Sequence, residues 1–263
     1  MTHETMPTKS REVGGLGDAS WRSLYRLGGI TAWITVLVMI SEIAITFLPG
    51  GGRVAPEDVT VVDWFTLFQE SWFLGLRNLG LINMIATCLM IPTVLALFGA
   101  LRREHEAYAA LAVVLSFLGA AAYLASNTGF GMLTLSGQYA AATDEAQRAA
   151  IEAAGRAMLA LGESHTPGTF VPFLFVEAGG ILISAVMLGS TNFGRWTAIT
   201  GILGNGLLLL FEVVSDFVPA LFGASLLIAL GGGLMSMAWY VLIGRGLLRL
   251  GRGTEDRRPM TDG

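Results

Sequence analysis

Six long apolar runs limit what this chain can fold into. The most informative is Phe193 to Phe217, FGRWTAITGILGNGLLLLFEVVSDF, with Arg195 near one end, a Leu run in the middle, and Asn205, Glu212 and Asp216 spaced along it. About 20 consecutive apolar residues suffice to cross a bilayer. Runs of this length argue for lipid as the solvent and against an unusually large soluble core. The charge content agrees: 14% of residues are charged and 53% hydrophobic, whereas soluble domains carry about 25% charged residues. The expected fold is all-α, a bundle of six transmembrane helices. Its spans lie at about Leu24–Leu48, Leu74–Leu101, Ala107–Leu135, Pro167–Leu188, Arg195–Phe217 and Pro219–Leu248.

The segments between the spans carry their own signals. Residues 1–20 are polar and are expected as a disordered tail, and residues 251–263 as a second tail; the membrane domain is 21–250. After Pro49-Gly50-Gly51-Gly52, the triplet Pro56-Glu57-Asp58 is a helix start, with Pro and acids in the first turn. VVDWFTLFQESWF then mixes aromatics with Asp63 and Glu70, as short helices at a membrane interface do. Between spans three and four, Thr143 or Asp144 can cap TDEAQRAAIEAAGRAMLALG. Glu145, Arg148, Glu152 and Arg156 form a polar stripe with helix-spaced ion pairs, and Ile151, Ala154, Met158 and Leu161 lie opposite. This segment is expected as an amphipathic helix.

The basic residues assign the orientation. With both termini inside, only Arg53, Arg77, Arg148 and Arg156 of the 16 Lys and Arg fall on the outer side. That asymmetry and an even number of spans both place the termini in the cytoplasm. Several functions are excluded or disfavoured. A net charge of −4 leaves no nucleic-acid footprint. Cys88 is the sole cysteine, so an intrachain disulfide and a Cys-cluster metal site are excluded. Three His are too few and too scattered for a multi-His metal centre. No cofactor and no metal site is expected.

The stretches YRLGGITAW, VAPEDV followed by FQESWFLGLRNLGLIN, and LTLSGQY before the amphipathic helix resemble an uncharacterised family of bacterial six-helix membrane proteins, a domain of unknown function. The resemblance runs from about Trp21 to Leu248. It implies a bacterial inner-membrane protein and supplies no catalytic residues.

Placed by depth, the polar residues cluster from mid-membrane outward. Glu177 lies ten residues after Pro167, about 15 Å down span four and close to the midplane. Glu42 lies about 24 Å along span one, in the outer third. Thr31, Thr35 and Glu42 share a face, and Gly201, Asn205, Glu212 and Asp216 make one stripe. Asp216 is expected at the wet end of span five. Spans two and three add Arg77, Asn83 and Asn127; Glu42 and Glu212 are either solvated or paired with Arg77. His165 stands just before span four. Intramembrane carboxylates are costly unless they face protein or water. The cluster Glu177, Glu212, Glu42, Asn205, Asn83, Asn127, Arg77 and His165 is therefore the candidate lining of a polar cavity open to the outer side.

Three functions remain open. The first is binding or transport of a small molecule, proton or cation. Six helices are few for a transporter, which favours a homo-oligomer in the lipid bilayer. The second is a structural or sensory subunit without ligand, in which Asn, Ser and Thr make interhelical hydrogen bonds of about 0.6 kcal/mol. The third and weakest is an intramembrane hydrolase using paired carboxylates. No Gly-x-Ser-x-Gly or His-Glu-x-x-His motif supports it, so the chain is expected not to be an enzyme.

Overall fold

The computed structural model describes residues 10–46, 59–163 and 166–252. They form α1 (Ser10–Thr46), α2 (Val61–Glu70), α3 (Trp72–Asn78), α4 (Leu81–Ser126), α5 (Gly129–Ala141), α6 (Glu145–Gly162), α7 (Phe170–Met187), α8 (Arg195–Phe217) and α9 (Phe222–Arg252), with a 3-10 turn at Pro219–Leu221 before α9. No strand occurs among the described residues. α1 begins within the stretch expected as a tail; residues 1–9, the Pro56-Glu57-Asp58 helix start and residues 253–263 lie outside the described residues.

Five stretches are long and apolar enough to cross a membrane: Trp21–Ile45, Leu81–Ala141, Phe170–Met187, Arg195–Phe217 and Phe222–Arg252. Their outer faces match that solvent. Leu227 is 74% exposed, and Leu37, Leu118 and Leu230 are each more than half exposed. So much uncovered leucine on a soluble monomer would be an aggregation surface; around a membrane protein it meets acyl chains.

The long helices close a ring. α1 packs on α4 and α9, α9 on α8, α8 on α7, and α7 back on α4. α4 supplies two walls because it folds back on itself. At His105 the backbone leaves helical geometry (φ −145°, ψ 65°). Beyond that point Tyr123 Oη donates to Gly80 O at 3.3 Å, and Asn127 Nδ2 donates to Leu79 O at 2.8 Å. The far end of α4 thus returns to the level of its start. Met90 and Val94 from the outgoing half meet Val113, Phe117 and Ala120 from the returning half. The corner is the charged run Arg102–Glu106, which favours water over lipid.

Two expected boundaries move. Hydropathy starts span two at Leu74, but Leu74–Asn78 belong to α3, and the turn at Leu79-Gly80 separates them from α4. Hydropathy carries span three to Leu135, but the helix stops at Ser126 because Asn127 takes an extended conformation. The Asn127 side chain donates to Leu79 O and accepts from Gly129 N at 3.1 Å, so it staples both sides of the break. The apolar residues after it turn into α5, which packs on α2 and α6.

α2, α3, α5 and α6 form a cap at one end of the ring. Its own core is Val61, Trp64, Phe65, Phe68, Leu76, Leu79, Met132, Ala142 and Ile151. α2 opens with a capping box: Thr60 Oγ1 and Thr60 N donate to Asp63 Oδ2 at 2.6 and 2.8 Å, and these bonds hold the Asp63 carboxyl below the usual carboxylate range. α6 is the expected amphipathic helix, capped by Asp144, which accepts from Gln147 N at 2.8 Å. Its buried face is Ile151, Gly155 and Gly162, however, and Met158 and Leu161 are exposed. Val61 and Phe65 pack directly on Gly155, where a Cβ would force their side chains to shift.

The opposite end is basic. Arg26 Nε donates to Gly251 O at 2.8 Å, and the Arg102 guanidinium lies 4.3 Å from the Trp21 ring centre. Glu104 accepts from Thr191 N and Oγ1 at 3.1 and 3.0 Å, and Asn192 Nδ2 donates to Ala100 O at 2.8 Å. The α4 corner is therefore tied to the α7–α8 loop.

The hairpin in α4 is measurable by electron spin resonance on I85C/A125C in a Cys88→Ala background. Two exposed sites on the packed halves give a label separation below about 25 Å. A continuous helix would separate them by about 60 Å.

Candidate functional site

The candidate polar residues fall into three places. The first is the centre of the ring. α7 turns Glu177, Gly180 and Ser184 inward on one face, and α8 turns Gly201, Asn205 and Glu212 toward it. These side chains can meet because the two helices approach closely. A Cβ on Gly180 would overlap the Asn205 amide, and one on Gly201 would overlap Ser184 Oγ and crowd the Trp239 indole. Asn205 Nδ2 donates to Gly201 O at 2.6 Å, which turns its Oδ1 toward Gly180.

A cavity of about 60 Å³ opens here, and its polar lining is Glu177, Asn205, Thr93, Ser116, Ser236 and the Trp239–Tyr240 pair. α4, α7, α8 and α9 all contribute to it. Two of its hydroxyls are anchored. Thr93 Oγ1 lies 2.9 Å from Thr31 Oγ1 across the α1–α4 contact, and Ser116 Oγ donates to Ala112 O at 2.9 Å. Three buried atoms in this region have no hydrogen-bond partner: Glu177 Oε2, Ser184 Oγ and Trp239 Nε1. Each such atom costs about 1–3 kcal/mol in a dry interior.

The second place lies where α1 ends against α3. Arg77 Nη2 meets Glu42 Oε1 at 3.0 Å while Arg77 Nε donates to Glu42 Oε2 at 3.2 Å. Arg77 Nη1 also donates to Asn78 Oδ1 at 2.9 Å, and its side chain is 0% exposed. This two-pronged geometry uses the guanidinium at its best. Of the two sequence alternatives for Glu42, pairing with Arg77 is the one observed.

The third place is the C-terminal part of α8. Glu212 and Asp216 are 4% and 7% exposed, so Asp216 is no wet helix end. Ser215 Oγ donates to Glu212 O at 3.3 Å and to Asp216 Oδ1 at 3.2 Å. Asn127 serves as the staple described above, and Asn83 is half-buried in the first turn of α4, away from the cavity lining. His165 lies outside the described residues. Sequence reading passed over Thr93, Ser236, Trp239 and Tyr240. A signal was present: Trp and Tyr favour membrane interfaces, and a Trp-Tyr pair within an apolar helix, three residues after a Ser, implies polar partners nearby.

The chain belongs to the family of the domain of unknown function DUF4386, which matches residues 70–244. The match takes in α3 to most of α9, including every residue of the cavity, and leaves out α1 and with it Glu42. No curated protein and no solved structure matches the chain.

A double-mutant cycle on Glu42→Gln and Arg77→Met, read by thermal unfolding in detergent, separates a clamp from a surface pair. The buried fork gives a coupling above about 1 kcal/mol; exposed pairs give about 0.2–1 kcal/mol.

Proposed function

We propose that this is a six-span protein of a bacterial cell membrane, with both termini cytoplasmic, that binds a proton or small monovalent cation at Glu177 and moves it across the bilayer. The six-span reading rests on the fold-back of α4 at His105, which divides one 61-residue apolar stretch into two crossings. The orientation rests on the arginines at the end that holds Trp21 and Arg252, against the acidic and aromatic cap at the other.

The observation that carries the function is Glu177 Oε2, buried and unpartnered beside a cavity of about 60 Å³. A carboxyl at this depth needs a proton, a counter-charge or water. The cavity admits roughly four waters and is far below the ~300–1,000 Å³ of sites for larger molecules. Its groups are oxygen donors (a carboxylate, an amide and hydroxyls), which suit a hard cation or a proton. Glu212 and Asp216 continue the polar face of α8 from the cavity toward the cap, a route of buried oxygens from mid-membrane to one surface. Glu42–Arg77 is then a structural clamp on that end.

The test is flux into proteoliposomes holding a pH-sensitive dye, with an imposed potassium diffusion potential and with or without Na⁺. Wild-type chain acidifies the lumen, or takes up Na⁺, at least tenfold faster than Glu177→Gln of equal thermal stability. Equal rates in wild type, Glu177→Gln and protein-free vesicles contradict transport. If Glu177→Gln instead fails to assemble, Ser236→Ala, which changes only a hydroxyl in the lining, provides the second comparison: a slower rate than wild type supports the site, and rates of wild type and Ser236→Ala both equal to those of protein-free vesicles contradict transport.

A further inference from the structure

The basic end of the bundle holds a second cavity unrelated to Glu177. It measures about 390 Å³ and lies between the α7–α8 loop and the last turns of α9. Phe193, Leu242 and Gly246 line its apolar part; Asn192, Thr197, Arg245, Arg249 and Arg252 line the rest. The three arginines stand at i, i+4 and i+7, so α9 presents them on one side. The Arg249 Nη2 group donates to Asn192 O at 3.1 Å, which fixes one guanidinium at the rim. Among the described residues none of the three pairs with a carboxylate. The α8 N-terminus opens onto the same space: Gly194 is the N-cap, and no side chain caps the first turn.

Three guanidinium groups around a cleft of this size, in a protein that lives in lipid, select for one chemistry. We propose that this cleft binds the phosphate of an anionic phospholipid headgroup. Guanidinium forks match phosphate oxygens bidentately, and the first turn of α8, which no side chain caps, is a place where a negative group is favoured. The position suits the headgroup layer: α9 is apolar on the bundle side of Arg245 and basic beyond it. Phe193 and Leu242 give the glycerol and first acyl carbons an apolar wall. Basic pockets between membrane helices on the cytoplasmic side hold lipid headgroups by the same balance of charge and depth. A soluble phosphate shares the chemistry but would leave the apolar wall unused.

The test uses the full chain in a zwitterionic detergent and reads the thermal unfolding midpoint and native mass spectra. Phosphatidylglycerol, phosphatidylcholine and inorganic phosphate are added in turn. Phosphatidylglycerol should raise the midpoint and survive as a bound adduct. Arg245→Gln and Arg252→Gln, which leave the Arg249 tie intact, should each weaken the apparent affinity about fivefold, and the pair about 25-fold. Arg148→Gln, in the cap, should leave it unchanged. Stabilisation by inorganic phosphate equal to that by phosphatidylglycerol would overturn the lipid source. Equal response to phosphatidylglycerol and phosphatidylcholine, or full retention of affinity in the double variant, would overturn the site itself.

Discussion

Water is scarce at mid-membrane depth, and every polar atom placed there must find its partner inside the protein. That constraint organises the bundle. Thr31 meets Thr93 between α1 and α4, and Thr35 Oγ1 returns to Thr31 O at 2.9 Å within its own helix. Asn127 takes both sides of the break after α4. Arg77 spends its guanidinium on Glu42 and Asn78. Against this pattern, Glu177 Oε2, Ser184 Oγ and Trp239 Nε1 around a small polar cavity are exceptions, Glu177 the one ionisable group among them, and exceptions of this kind mark sites.

The cap and the ring are held by different forces. In the cap, aromatic and aliphatic side chains such as Trp64, Phe65 and Phe68 form a core of their own, and burying each contributes about 1.5–3 kcal/mol. In the ring, lipid is as apolar as the helices, so burial of leucine contributes little and close packing decides. Hence the small residues at the crossings, with Gly180 admitting Asn205 and Gly201 admitting Ser184 and Trp239. The glycines that let α7 and α8 approach are the same ones that bring Glu177, Asn205 and Trp239 to one place.

Much of this was legible in the sequence. The apolar runs foretold membrane helices, Gly201, Asn205 and Glu212 foretold the buried face of α8 though Asp216, expected wet, is buried with them, and the pair Thr143 or Asp144 foretold the start of α6, which Asp144 caps. Apolar length misled where a polar residue cut a run short: Asn127 ends a helix inside an apolar stretch, and hydropathy has no memory of such a staple. The buried face of α6 was misread because Gly155, not a large apolar residue, receives Phe65. The cavity was half visible. Glu177 and Asn205 are conspicuous in apolar surroundings, but Thr93, Ser236 and Trp239 sit on other helices, and only the ring order brings them together. The pairing of Glu42 with Arg77 was legible as one of two alternatives, and the fork between them decides it.

The most direct measurement is infrared difference spectroscopy of the chain in lipid vesicles, between acid and alkaline pH and with and without Na⁺. If Glu177 binds a proton or cation in a water-accessible cavity, a carboxylic C=O band changes with pH or Na⁺. That band shifts in D₂O and is missing in Glu177→Gln. A spectrum in which wild type and Glu177→Gln differ by no titrating or Na⁺-sensitive band would mean that Glu177 is sealed in packed protein. The carboxyl would then serve only the bundle's assembly.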